Sequence, residues 1–236
     1  MKGKVAFITG GSKGIGYGIA ESLAKEGIHS ILTSRSQDNA DKAAEIISEK
    51  YKVKCLGVEA DVKDFKAVQN AVDKAIEDFG QIDYVIANAG LGHFGSIQDL
   101  TVEQWQEVIE TNLNGVFYTI KSTVEPLIKS KGYFISISSL AGTNFFAGGA
   151  AYNASKFGVT GFTQAVMLDL RQKGVKVSTI MPGSVSTHFN DNEPDSSDSW
   201  KIQIEDLGQM VVDLFKMNPR TLPSKIEVRP TQPPSK

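Results

Sequence analysis

The stretch "KVAFITGGSKGIG", Lys4 to Gly16, decides how this chain folds. Its first part, "KVAFITG" (4–10), is a short run of apolar, β-branched and aromatic residues ended by glycine, and reads as a buried strand. The residues that follow, "GIGYGIAESLAKEG", carry Ile15, Ile19 and Leu23 at helical spacing and are closed by Gly27. Between strand and helix lies "TGGSKGIG" (9–16), where Gly10, Gly14 and Gly16 permit a tight turn and close approach of the backbone to a ligand. A pyrophosphate suits such a place, because free N–H groups and the helix dipole favour an anion there. The spacing is Gly-x-x-x-Gly-x-Gly, and by itself it also admits a tight turn with no ligand.

Outward from this unit the pattern repeats. "HSILTSR" (29–35), "KCLGVEAD", "IDYVIANAG", "GYFISISS" and "VKVSTIMPG" read as further strands. Between them run amphipathic segments. "SQDNADKAAEIISEKY" has Ser36 or Asp38 as N-cap, and "DFKAVQNAVDKAIEDFG" follows the third strand. A long helix starts near Thr101 with the capping box "TVEQ", and another runs from about Gly149 to Lys173. Such alternation predicts an α/β fold: a doubly wound parallel sheet with helices on both faces. After Gly183 the texture changes to the polar, turn-rich "DNEPDSSDS" (191–199), expected to be a mobile surface segment. A short helix "EDLGQMVVDLFKM", a last strand "KIEVRP" and a frayed tail "TQPPSK" (231–236) complete the reading. No internal repeat or second domain is visible, so residues 1–236 are expected to form one domain.

Composition narrows the function. The 236 residues are 41% hydrophobic and carry a net charge of -2, which gives no support for nucleic acid or an anionic membrane as the main partner. The apolar run "VAFIT" is shorter than a signal peptide's apolar region, and no stretch approaches the roughly 18 residues of a membrane span. The single cysteine, Cys55, suits a reducing compartment, so the expectation is a soluble cytoplasmic protein. With three histidines and one cysteine, no metal-ligand cluster stands out and no metal is expected.

The second strand ends at Ser34-Arg35, where a carboxylate for a ribose 2′-hydroxyl is absent. Arg35 instead offers a planar fork of donors to a 2′-phosphate, and Lys13 in the glycine turn adds a second cation. Together they favour NADP over NAD. Asp61 either receives an adenine amino group or caps the helix that starts near Asp64.

Seven tags stand in order along the chain: "TGGSKGIG", "ADV" (60–62), "NAG" (88–90), "NLNG" (112–115), "SS" (138–139), "YNASK" (152–156) and "PGSVST" (182–187). In this the chain resembles the short-chain dehydrogenase/reductase family, in its NADP-preferring carbonyl reductase and alcohol dehydrogenase branches, with sepiapterin-reductase-like features. The resemblance covers residues 4 to 187. It implies a Rossmann-type sheet of seven strands in the order 3-2-1-4-5-6-7. It implies a catalytic set of Asn112, Ser139, Tyr152 and Lys156, with Ser139 rather than Ser138 at the family spacing before the tyrosine. It also implies NADP(H) contacts from Gly10, Ser12, Lys13, Gly14, Ile15, Gly16, Ser34, Arg35, Ser36, Asp61, Val62, Asn88, Ala89, Gly90, Tyr152, Lys156, Pro182, Gly183, Val185 and Thr187.

The chemistry agrees with that set. Reducing a carbonyl requires hydride on carbon and a proton on oxygen. A tyrosine with a free pKa of about 10 is a competent acid but a poor base for the reverse reaction. Lys156 lies one helical turn from Tyr152 on the same face, so its ammonium is expected to bring the phenol down toward working pH. Lys156 is also expected to bond ribose hydroxyls, Ser139 to hold the substrate oxygen, and Asn112 to hold a water that completes a proton path.

Substrate contacts are expected from His93, Phe94, Phe145, Phe146, His188 and Phe189, with 188–204 as a closing lid. The leading expectation is an NADP(H)-dependent enzyme interconverting a small carbonyl and an alcohol. Alternatives are a 3-oxoacyl-carrier-protein reductase, a pteridine reductase and, from another class, a non-catalytic NADP-binding sensor. Ala87 stands where many family members have a second asparagine, and "KIEVRPTQPPSK" departs from the usual family C-terminus. That favours a homodimer through the helices at 101–131 and 149–173, with the family tetramer as the alternative.

Overall fold

The computed structural model describes residues 1–233, apart from the side chain of Asp191. Seven strands form one parallel sheet: β1 (Val5–Ile8), β2 (His29–Ser34), β3 (Cys55–Glu59), β4 (Tyr84–Ala87), β5 (Tyr133–Ile137), β6 (Lys176–Pro182) and β7 (Lys225–Val228). Their order is β3-β2-β1-β4-β5-β6-β7, as the resemblance implied. The helices are α1 (Gly14–Lys25), α2 (Gln37–Tyr51), α3 (Phe65–Phe79), α4 (Val102–Ile109), α5 (Gly115–Ser130), α6 (Ala150–Leu170) and α7 (Ile204–Lys216). Residues 231–233 are exposed and belong to no strand or helix; residues 234–236 of the expected frayed tail lie outside the described residues.

The central strands β1 and β4 are apolar on both faces because both are covered. Along β1 alternate side chains point opposite ways. Ala6 and Ile8 join a core with Ile19 and Leu23 of α1, Ile47 of α2 and Val211 of α7. Val5 and Phe7 join a second core with Val72 of α3, Val116 of α5 and Val159 of α6. Phe7 and Phe134 are wholly buried, each contributing about 1.5–3 kcal/mol by burial. Helix α7 crosses α1 at small residues: a Cβ on Gly18 would lie 2.7 Å from Ile204, and one on Gly208 would collide with Ser22.

Helix starts follow local chemistry. Ser36 caps α2 by accepting the N–H of Asn39, Asp64 caps α3, and Thr101 with Gln104 forms the capping box of α4. The expected single helix from Thr101 is interrupted. Residues Glu110–Asn114 form a π-helical turn between α4 and α5. Such turns are rare and local, and the reading of one long helix does not report it.

The polar stretch 191–199 is organised. Residues 189–191 and 196–200 form short 3₁₀ turns. Buried Asp198 pairs with Lys201 and accepts bonds from Ser186 and Asn192, each at 3.4 Å. Val185 and Ile202 form a parallel bridge, so the segment's two ends are tied together. In open parallel sheets ligands bind beyond the carboxyl ends of the strands, where the chain reverses its winding between β1 and β4. Gly10, Asn88, Ser139 and Gly183 all follow strand ends.

Candidate active site

The glycine turn is built by direct contacts. Gly10 and Gly14 adopt left-handed φ values of 63° and 57°. A side chain on Gly16 would collide with the Gly10 carbonyl. Asn88, after β4, donates to the carbonyls of Thr9 and Gly10, both at 3.0 Å. Buried Thr9 returns the lock, its hydroxyl accepting the N–H groups of Asn88 (3.0 Å) and Ala89 (3.2 Å). Thr9 was not singled out in the sequence; its position just before Gly10 is the only signal it gives.

Helix α1 has Lys13 at its N-cap with no side-chain cap, unlike α2, α3 and α4, and no acidic residue in its first turn, unlike α2 and α4. Its first N–H groups are therefore available to an anion, so the turn fits the pyrophosphate of a dinucleotide. Ile15 packs onto the core behind the turn. At the end of β2, Ser12 bonds Ser34 at 3.3 Å, and Ser36 reaches Ser34 at 3.5 Å. Lys13 and Arg35 are exposed here, and neither forms an ion pair among the described residues. Asp61 accepts the N–H of Lys63 at 2.9 Å, while Asp64 is the cap of α3; buried Val62 packs against Gly115.

The expected catalytic residues converge. Lys156 is 5% exposed, and its Nζ donates to the Ile137 carbonyl at 3.1 Å. Burial lowers its pKa to about 8. A Cβ on Gly90 would lie 3.3 Å from Asn112 Oδ1 and 3.5 Å from Lys156 Nζ, so the glycine after β4 leaves room for both. Lys156 Nζ sits 5.6 Å from the centre of the Tyr152 ring. The two serines divide as expected. Ser138 is buried, bonding the Lys156 carbonyl at 3.0 Å, whereas the Ser139 hydroxyl lies near the Tyr152 phenol and acts to lower its pKa. Ser139 also accepts the N–H of Ala141 at 3.1 Å and reaches the Pro182 carbonyl at 3.5 Å.

One expectation needs correction. Burial raises the Tyr152 pKa, and the neighbouring Ser139 hydroxyl offsets this only in part. The fall expected from Lys156 is not seen, because burial strips solvation from the phenolate. The side chain of Asn112 is engaged within the protein, with one acceptor position of its oxygen left over. Its Oδ1 accepts Leu91 N–H at 2.9 Å, and its Nδ2 donates to the Leu91 carbonyl (2.8 Å) and to Ser155 Oγ (3.0 Å). It clamps the loop after β4, from within the π-helical turn.

The post-β6 segment completes the wall. Gly183 N–H bonds the Val228 carbonyl at 2.8 Å. Buried Thr187 lies so that a Cβ on Gly14 would be 3.6 Å from its methyl, which brings this segment onto the glycine turn. Of the expected substrate residues, Phe94 and Phe189 flank Tyr152, and Phe146 flanks Phe94. Phe145 is 87% exposed and stays out of that group. His93 is held by Glu107 at 2.8 Å, and His188 stands 3.5 Å from Glu193. Asn153 was missed: it donates to the carbonyls of Ala141 and Asn144, both at 2.8 Å, and so holds the loop after β5. A polar residue inside an apolar helix was its only sequence signal.

The family model described as short chain dehydrogenase matches residues 4–198. The chain belongs to the short-chain dehydrogenase family. One member, the 3-oxoacyl-[acyl-carrier-protein] reductase of Escherichia coli, is 32% identical over 188 residues, covering 79% of this chain and 75% of that protein. The glycine betaine reductase of Emericella nidulans is 35% identical over 188 residues, and the match spans 79% of this chain but 15% of that longer protein. A solved structure similar to this short-chain dehydrogenase is the alcohol dehydrogenase of the archaeon Thermococcus sibiricus, complexed with 5-hydroxy-NADP. It superimposes with a TM-score of 0.92 at 29% identity over 99% of both chains. No described helix of this family member is long and apolar enough to cross a membrane, and no metal-binding group of His, Cys, Asp or Glu occurs among the described residues.

Proposed function

We propose that this protein is an NADP(H)-dependent oxidoreductase that interconverts a carbonyl and an alcohol, working as one catalytic unit. The observation that carries this reading is the meeting of Tyr152, Ser139 and buried Lys156 beside an uncapped helix N-terminus. NADP(H), when bound, supplies or accepts the hydride. Tyr152 gives a proton to the substrate oxygen in reduction and takes it back in oxidation. The Ser139 hydroxyl donates to the same oxygen and stabilises the charge that develops there. Lys156 holds positive charge behind the phenol and bonds ribose hydroxyls. Asn112 positions Leu91 and the loop that follows. Arg35 and Lys13 select the 2′-phosphate, supported by their exposure beside Ser34 and by the NADP analogue in the similar alcohol dehydrogenase.

The likeness to the Escherichia coli enzyme favours a second reading, reduction of a 3-oxoacyl thioester. One assay separates the two: oxidation of NADPH and NADH with an aromatic diketone, an aliphatic aldehyde, an acetoacetyl thioester and a pterin. Turnover with NADPH well above NADH supports the first reading, and the best carbonyl chooses between them. Tight NADPH binding with no turnover of any carbonyl contradicts both. We further propose a homodimer through the outer faces of α5 and α6, where Phe117, Phe157 and Leu168 are 45%, 42% and 54% exposed.

A further inference from the structure

Three phenylalanines from three separate loops form one cluster, and two of them flank Tyr152. Phe94, from the loop after β4, meets the Tyr152 ring edge-on, with centroids 5.3 Å apart and planes at 63°. Phe189, from the segment after β6, lies 5.7 Å from Tyr152 and 6.4 Å from Phe94. Phe146, from the loop after β5, lies 6.0 Å from Phe94. This is not core packing. The core residues Phe7 and Phe134 are 0% exposed, whereas Phe94, Phe146 and Phe189 are 44%, 49% and 38% exposed. Exposed aromatic surface gathered in one place marks a binding site.

The loops are shaped to keep the rings there. A Cβ on Gly92 would lie 2.8 Å from the Phe94 ring and 3.0 Å from that of Phe189, so glycine lets both rings close over the loop. Gly95 N–H bonds the Gly148 carbonyl at 2.9 Å, tying the first loop to the second. Each neighbouring histidine has a carboxylate beside it. His93 is held by Glu107, and His188 stands beside Glu193. What remains near the phenol is the Ser139 hydroxyl and a set of π faces and ring edges.

We propose that these rings select carbonyl compounds with an aromatic ring bonded directly to the carbonyl carbon. The substrate's ring lies against Phe94 and Phe189 while its oxygen reaches Tyr152 and Ser139. Edge and offset-face contacts reward a flat aromatic group over a puckered one of similar bulk. This rests on the oxidoreductase reading above.

The test compares acetophenone with cyclohexyl methyl ketone, which share a skeleton and differ in flatness. kcat/KM with NADPH is measured for the unaltered protein, Phe94→Leu and Phe189→Leu, with thermal melts to check folding. The expected result is a preference for acetophenone of roughly tenfold or more, from two aromatic contacts. Each leucine variant is expected to shrink that ratio several-fold. The change in ratio between proteins is independent of the two ketones' intrinsic reactivity. Turnover of both ketones with a ratio unaltered in both variants overturns the aromatic selection and leaves the oxidoreductase reading intact. If neither ketone turns over, calorimetric binding of acetophenone to the NADP-loaded protein decides. Binding weakened in both variants supports the aromatic site, and binding that is absent or unaltered overturns it. Lack of turnover with every other carbonyl as well would then count against the reaction itself.

Discussion

The ammonium of Lys156 donates to the Ile137 main-chain carbonyl at 3.1 Å, from a position 5% exposed. No carboxylate among the described residues pairs with it, and burial lowers its pKa from 10.5 to about 8. Between those values the unfolded chain holds the proton more tightly than the folded one. Unfolding free energy therefore rises with pH across that window, and the full cost applies below about pH 8.

Replacing Lys156 by Met is expected to stabilise the protein at pH 7. The gain is on the order of 3 kcal/mol from the removed charge, less about 1 kcal/mol for the lost hydrogen bond. Urea unfolding at pH 7 and pH 10 checks this: the variant's advantage should shrink at the higher pH. An advantage equal at both pH values, or a loss at both, contradicts a buried uncompensated lysine.

Tyr152 has a pKa raised by burial, so it stays protonated through neutral pH. Carbonyl reduction, which needs the acid, should be nearly flat from about pH 6 to 9. Alcohol oxidation, which needs the phenolate, should rise through that range and beyond. Rate profiles in both directions check this, and an oxidation rate that falls as pH rises would count against Tyr152 as the base.

Replacing Asn112 by Ala leaves the N–H and carbonyl of Leu91 without their side-chain partner. A stability loss of about 2 kcal/mol is expected, together with lower turnover because the loop carrying Phe94 loses its clamp. A variant with unaltered melting would remove the positioning role.

Much of this was legible in the residues. Strand–helix alternation predicted the parallel sheet, and the ordered tags implied the strand order found from β3 to β7. Ser139 was separated from Ser138 by spacing, and the two serines do face different partners. The π-helical turn at 110–114 was hidden because it is short and lies between two stretches that each read as α-helix. Phe145 and Phe146 are identical letters; only the turn closed by Gly149 decides which joins Phe94. The Tyr152 pKa depends on solvent exclusion, which sequence spacing does not measure.

Replacing Arg35 by Asp puts a carboxylate at the end of β2, where it repels a 2′-phosphate and accepts from a 2′-hydroxyl. NADPH affinity should fall at least tenfold, with preference moving toward NADH, as read by KM for each. Unaltered preference would remove Arg35 from cofactor selection.

The most direct test of the mechanism is the Tyr152→Phe variant, assayed for NADPH oxidation with the best carbonyl and, separately, for NADPH binding. Turnover is expected to drop by at least about a hundredfold, while the binding constant stays within a few-fold. Turnover close to that of the unaltered protein, with binding intact, would contradict the assignment of Tyr152 as the group that moves the proton.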